Sequence, residues 1–253
     1  MRRRRAGRAS LARFYHSRFG SMIRRMTQDV FASHRSHMVA EIEAEALLTA
    51  AYTGRGVFSA QVMQVIGRVP RHEFVPVEIQ AYSYLNRPLP IGFEKTVSQP
   101  YIVALMTDVL ELRREDKVLE IGTGAGYQAA VLAEIVNRVY TIDLIDELAA
   151  GAEKRLKRLG YANVEVRVGN GYYGWPEHAP YDNIIVTAAC DLAPPPLMAQ
   201  LKPGGRMIIP TGIPEQQSLV LIEKSAAGSF STRELLPVRF SELDEPGQFA
   251  GAA

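Results

Sequence analysis

The densest chemical signal in the chain is Leu119-Glu120-Ile121-Gly122-Thr123-Gly124-Ala125-Gly126. Glycines at alternate positions allow a tight turn and let a ligand approach the backbone, and a helix opening after them offers free N–H groups. Asp143 stands 17 positions after Gly126. An acid there can accept both hydroxyls of an adenosine ribose. The dinucleotide fingerprint is G-x-G-x-x-G, whereas this segment is G-x-G-x-G with Glu120 two positions before the first glycine. Gly169-Asn170-Gly171 supplies a further short glycine segment, and Thr96-Val97-Ser98-Gln99-Pro100 a second polar one. Taken alone, Ser98 reads as an N-cap for a helix opening at Pro100.

These residues need elements to hold them. Short apolar strands are expected at 117–121, 139–144, 164–168, 181–187, 207–210 and 219–224, with helices at 127–136, 147–159 and 196–201 and a turn at 203–205. Strands separated by helices imply an α/β fold with a mostly parallel, doubly wound sheet covered on both faces. The glycine segment then lies between the first strand and its helix, and Asp143 ends the second strand. Upstream, residues 39–51 read as a helix broken by Thr53-Gly54-Arg55-Gly56, and Ser59 is a candidate N-cap for a helix over 59–66. Prolines make 69–76 extended and 86–99 a loop, and a helix is expected over 100–112.

Composition narrows the class. Hydrophobic residues are 47% and charged residues 22% of 253, as in soluble globular proteins, so fibrous and wholly disordered chains are excluded. No run approaches the ~20 apolar residues of a membrane helix, and a membrane is not an expected partner. The net charge of +2 is uneven: residues 1–40 hold ten arginines and one acid, Asp29, giving +9 and leaving −7 for the rest. A mildly acidic body argues against a nucleic-acid groove. Residues 1–38 are expected to be a basic, disordered extension; an organellar transit peptide and a misplaced start are the alternatives. The expected division is 1–38 as extension and 39–253 as one domain. Within it, 39–116 is a helical, substrate-facing part, 117–224 a cofactor-binding core, and 225–253 a C-terminal strand and tail. The one cysteine, Cys190, excludes an internal disulfide and a multi-cysteine zinc site, and suits a reducing compartment. A cytoplasmic monomer without metal is expected.

The glycine spacing with Glu120 resembles motif I of class I S-adenosylmethionine methyltransferases. Further stretches narrow the resemblance: Val69-Pro70-Arg71-His72-Glu73-Phe74-Val75-Pro76, Arg87-Pro88-Leu89-Pro90-Ile91-Gly92, Thr96-Val97-Ser98-Gln99-Pro100, Gly171-Tyr172-Tyr173-Gly174-Trp175-Pro176 and Leu236-Pro237-Val238-Arg239-Phe240. Together they resemble the protein-L-isoaspartate (D-aspartate) O-methyltransferase family over about 41–243. The resemblance implies a Rossmann-like fold, S-adenosyl-L-methionine as cofactor, and methylation of the free carboxylate of L-isoaspartyl and D-aspartyl residues in damaged proteins. It implies Ser98 as the residue beside substrate and cofactor. It implies a cofactor site from Thr96, Glu120, Gly122, Thr123, Gly124, Ala125, Gly126, Asp143, Asn170 and Gly171. A carboxylate with pKa near ~4 is already ionised at neutral pH, so the displacement needs no general base. The chain departs from the family pattern in Asn170 for Asp, Asp143 for Glu, and Phe93-Glu94-Lys95 for a small neutral run.

Other readings are weaker. Cys190 follows the fourth strand, where RNA cytosine-5 methyltransferases carry a catalytic cysteine, but they use a second that is absent here. A buried small residue is expected. Thr187-Ala188-Ala189 does not match the Asn/Asp-Pro-Pro-aromatic motif of amino-group methyltransferases. His72 and His178 are isolated and read as structural or solvated. Tyr172 and Trp175 either wall the pocket or belong to the core. A carboxyl methyltransferase acting on another peptide or a small molecule, and a non-catalytic S-adenosylmethionine-binding protein, are the alternative functions.

Overall fold

A computed structural model describes residues 29–243. The basic segment up to residue 28 and the last ten residues lie outside the described part.

The main sheet has β3 (Lys117–Ile121), β4 (Arg138–Asp143), β5 (Val164–Val168), β6 (Tyr181–Val186), β7 (Leu201–Thr211), β8 (Gln217–Lys224) and β9 (Phe230–Val238). Their spatial order is β5-β4-β3-β6-β7-β8-β9. Pairing is parallel from β5 to β7, and β8 runs antiparallel to both its neighbours. Alternation in the central strands divides two cores. Val118, Ile185 and Ile208 join one apolar cluster, while Leu119, Ile121, Ile184, Val186, Met207 and Ile209 join the other. Successive side chains of a strand point to opposite faces, so helices must cover both. The chain order reverses between β3 and β6, which makes their C-terminal ends a topological switch point, where α/β sheets bind ligands.

The core strands and helices fall within a residue or a few of their expected positions: α4 is Tyr127–Ala133, α5 Asp146–Arg158 and α6 Pro195–Gln200. Residues 203–205, expected as a turn, belong to β7. There the pairing jumps from Tyr181↔Leu201 to Asn183↔Arg206, so the extra residues bulge inside a longer strand.

The N-terminal part departs further. Helix α1 is Ala32–Thr53, opening seven positions before the expected 39 and so crossing the 38/39 boundary. Met38 is fully buried in the stripe it shares with Ile42 and Ala46. Phe31 stacks on His72 at 4.4 Å, and Arg35 donates to the Tyr84 hydroxyl at 3.1 Å. These partners are distant in sequence, so no local pattern announces them. Gly54, at φ +69°, ends the helix. Ser59 caps α2 (Ala60–Ile66) as expected, accepting from Val62 N. Residues Arg71–Phe74 form a 3₁₀ turn within the segment expected to be extended. The segment 86–99, expected as a loop, contains an antiparallel hairpin of β1 (Leu89–Gly92) and β2 (Lys95–Val97). Its turn residues Phe93 and Glu94 both have positive φ, +53° and +55°. Such turns normally carry Asn or Gly, so the sequence signal is missing. Helix α3 (Pro100–Val109) has Pro100 in its first turn, but its N-cap is Gln99, without a side-chain cap bond. Ser98 is therefore not the cap.

Candidate active site

A cleft of about 1130 Å³ opens where β3 and β4 end and β6 turns out of the sheet. Thr96, Ser98, Gly122, Gly124, Asp143, Asn170 and Gly171 line it together. Separations of up to 49 positions, from Gly122 to Gly171, collapse into one wall because parallel strands bring their C-terminal ends to the same edge, and Thr96 and Ser98 meet it from the hairpin side.

The glycine turn is fastened to β4. Gly122 N and Thr123 N both donate to Ile142 O, at 2.8 and 3.2 Å, and Gly124 N donates to Asp143 Oδ2 at 2.7 Å. Gly122 has φ +92°, and a Cβ there would sit 2.3 Å from Thr187 Oγ1. That hydroxyl bonds Ile121 O at 2.9 Å and Gly122 O at 2.8 Å, so β6 grips the turn through Thr187. Asp143 Oδ1 accepts from Ile145 N at 3.0 Å. A carboxylate offers about four acceptor positions, so with one N–H on each oxygen Asp143 retains capacity for a diol. Asn170 Oδ1 accepts from Tyr172 N at 2.8 Å, capping the Gly171–Tyr173 turn. Gly171 has no room for a side chain: its Cβ would lie 2.3 Å from Ile121 Cγ2.

Four of the expected residues stand behind the wall and do not line it. Glu120 is fully buried; its Oε2 accepts from Thr141 Oγ1 at 2.5 Å, and that hydroxyl bonds Thr123 Oγ1 at 2.7 Å. Its Oε1 has no partner among the described residues. Burial pushes the Glu120 carboxyl up to about 8, the Thr141 hydroxyl opposing and the Asp143 charge adding to the rise. Glu120 therefore carries a proton at neutral pH and supports the turn from beneath. Ala125 is buried, and Gly126 packs its Cα face toward Leu156 and Ala152 of α5.

The opposite wall adds residues that were not among the expected site residues. Glu45 and Thr49 reach the cleft from α1, Lys95 from β2, and 236–243 from the end of β9 onward. Glu45 holds the Ser98 segment from outside. It accepts from Gln99 Nε2 at 3.1 Å and from Asn86 Nδ2 at 2.7 Å, while Asn86 Oδ1 accepts from Tyr101 N at 2.9 Å. The segment after β9 is tied down by Gln217, which bonds the Phe240 backbone at both N and O, and by Leu243 N donating to Ala189 O. Thr187 had a local cue, a hydroxyl directly after the apolar run Ile184-Ile185-Val186; Glu45 had none.

Other candidates resolve as structural. Trp175 is buried against Tyr140, 5.5 Å between ring centroids, and Tyr172 packs on the same cluster; neither lines the cleft. His178 stacks on Tyr140 at 4.1 Å, and His72 accepts or donates at Tyr84 Oη, 2.8 Å away. Cys190 is buried in the second apolar cluster. Among the described residues no helix is long and apolar enough to cross a membrane, and no three His, Cys, Asp or Glu side chains cluster for a metal.

The family model described as protein-L-isoaspartate(D-aspartate) O-methyltransferase matches residues 42–246. The chain belongs to this family. It is 55% identical over 224 residues to protein-L-isoaspartate O-methyltransferase 1 of Polaromonas sp., covering 88% of this chain and 95% of that one. It is 56% identical over 216 residues to protein-L-isoaspartate O-methyltransferase 2 of Syntrophobacter fumaroxidans, covering 85% and 87%. A solved protein-L-isoaspartate O-methyltransferase superposes with a TM-score of 0.71 at 29% identity, over 83% of this chain and 66% of the other. A Plasmodium falciparum structure, described as a beta-aspartate methyltransferase in complex with S-adenosyl-L-homocysteine, shares the fold with a TM-score of 0.69 at 21% identity. That match covers 83% of this chain and 98% of the other. The family match begins inside α1 and extends through the segment after β9, so both walls of the cleft fall within it, apart from the first turns of that helix.

Proposed function

We propose that this protein transfers a methyl group from S-adenosyl-L-methionine to the free carboxylate of isoaspartyl residues in peptides and proteins, acting as a repair enzyme on L-isoaspartyl and D-aspartyl sites. The observation that carries the reading is Ser98 lining the same cleft as Gly122, Gly124, Asp143 and Asn170. The cofactor supplies an electrophilic methyl group on a sulfonium. The residues present fit it. Asp143 keeps acceptor capacity for the ribose hydroxyls. The Asn170 amide retains its two N–H donors for an adenine edge after its oxygen is used in the cap. The close backbone around Gly122 and Gly124 suits the methionine part. The cleft exceeds the ~300–1,000 Å³ of ordinary small-molecule sites, with room for a peptide residue beside a nucleoside.

Ser98 orients the nucleophile. Its hydroxyl makes no hydrogen bond to the described residues, which leaves it available to a substrate carboxylate; Arg71 holds its backbone carbonyl, and the Gln99–Glu45 side-chain bond anchors the next residue. The carboxylate arrives ionised, so no proton has to be removed. Alignment of the reacting atoms in a desolvated site supplies the acceleration, for which up to ~7–11 kcal/mol is available. The reading includes a cytoplasmic monomer, supported by the lone cysteine and the mixed charge of the body. Methyl-labelled cofactor with an isoaspartyl peptide and its aspartyl isomer tests the reading. Label is expected on the first only. Label on both, or on neither with cofactor bound, overturns it.

A further inference from the structure

Arg71 is the bulkiest side chain that the described fold removes completely from solvent. Burying a cation without a counter-charge is expensive, and an apolar side chain of similar volume would cost less. The Tyr127 and Tyr84 phenols beside it stay neutral, burial raising both, and no carboxylate among the described residues pairs with it. Its Nε and Nη2 donate to backbone carbonyls instead, and Nη1 has no partner among the described residues. Nε donates to Ser83 O at 2.9 Å, and Nη2 donates to Ser98 O at 2.7 Å and to Arg87 O at 3.5 Å. Carbonyls held by a charged donor are fixed more firmly than by a neutral one. The guanidinium carbon lies 4.7 Å from the centroid of the Tyr127 ring, and Tyr127 opens α4 directly after the glycine turn.

The choice of carbonyls is informative. Residues 87 and 98 flank the β1–β2 hairpin, whose outermost pair is Leu89↔Val97. One guanidinium nitrogen thus closes the neck of the hairpin and reaches the backbone of Ser98, while its face rests on the helix that follows the glycine turn. We infer that Arg71 is a positioning residue for methyl transfer: it fixes the Ser98 backbone against α4, and so sets where the Ser98 hydroxyl meets the substrate carboxylate. The inference rests on the role given to Ser98 above.

A double-mutant cycle in kcat on an isoaspartyl peptide tests it, with Arg71→Lys, Ser98→Ala and the double variant. Lysine keeps the charge but replaces the planar fork with one nitrogen, which cannot span the three carbonyls in the same geometry. Arg71→Lys is expected to lower kcat about tenfold in the wild-type background. Beside Ser98→Ala it is expected to lower kcat by no more than about twofold, because the hydroxyl it positions is gone. A purely structural role gives the same loss in both backgrounds, and that result overturns the inference while leaving Ser98 in place. Unchanged kcat in Ser98→Ala alone removes the role of Ser98 and the inference with it. Should Arg71→Lys not fold, the wild type decides by NMR. A hydrogen-bond scalar coupling between Arg71 Nη2 and the Ser98 carbonyl carbon is expected, with the guanidinium resonances moving when the isoaspartyl peptide binds. Absence of both overturns the inference.

Discussion

Gly122→Ala should unfold the grip that β6 has on the glycine turn, and the loss can be worked from three contacts. An alanine held at φ +92° costs about 1–3 kcal/mol in backbone strain. Its Cβ would lie 2.3 Å from Thr187 Oγ1, so the threonine must rotate away. Rotation gives up a hydroxyl that bonds Ile121 O at 2.9 Å and Gly122 O at 2.8 Å. One neutral hydrogen bond is worth about 0.5–1.5 kcal/mol net. Together these give a destabilisation of about 2–4 kcal/mol, which lowers Tm by roughly 5–15 °C in a domain of this size. The assay is thermal unfolding of four proteins: wild type, Gly122→Ala, Thr187→Ala and the pair. Thr187→Ala removes the obstructing oxygen, so in its background Gly122→Ala should cost only the backbone strain. The cycle should therefore show coupling of about 1 kcal/mol or more. Equal costs in both backgrounds, or a Gly122→Ala protein melting within a degree of wild type, would refute the account of how Thr187 holds the turn.

Ser98→Ala should lower kcat about ten- to a hundredfold, the value of one hydrogen bond to a charged group, without abolishing turnover. In wild type the rate should fall as pH drops through the substrate's own pKa near ~4, and not through a histidine-like value near ~6.5; the pH–rate profile reads both. Glu120→Gln should raise stability above wild type at pH 8–9. The folded carboxyl titrates at about 8, above its unfolded value. The unfolded state therefore gains by ionising as pH rises from about 4.5, while the folded state stays protonated until about 8. The stabilisation should vanish below pH 4, and chemical denaturation across that range measures it. A chain starting at Asp29 should keep its activity, whereas one starting at Met38 should melt several degrees lower. The second cut removes the Phe31–His72 stack and the Arg35–Tyr84 hydrogen bond. Equal melting temperatures would show that the first turns of α1 contribute nothing.

The cleft wall built around the glycine turn was legible because its information is local. Glu120 to Gly126, Asp143 and the 170–171 pair each sit in a strand-to-helix connection of a parallel sheet, where strand, glycine turn and acid recur at short spacings. What local pattern could not separate was lining from support. Glu120 and Gly122 are two positions apart, yet one is a protonated carboxyl beneath the strand end and the other faces the cleft. The hairpin over 89–97 was hidden because Phe93 and Glu94 adopt positive φ without the residues that usually signal it. The start of α1 was hidden because Ala32 to Ser36 lacks an apolar period. Those turns are held by residues 72 and 84, some 40–50 positions away.

That difference has a physical basis. The glycine-turn wall hangs from backbone hydrogen bonds at the ends of β3 and β4, which the sheet fixes whatever the loops do. The opposite wall is assembled from α1, the hairpin and the segment after β9, joined by side chains: Glu45 to Gln99 and Asn86, and Gln217 to Phe240. Side-chain ties between surface elements open at lower free energy than a central sheet. Under the function proposed above, the wall that admits a peptide backbone needs that lower opening energy, while the wall that cradles a nucleoside needs rigid backbone donors and acceptors. Substitutions among the ties should therefore move peptide KM and kcat while leaving cofactor affinity nearly unchanged. Substitutions at the strand ends should weaken the cofactor and the fold together.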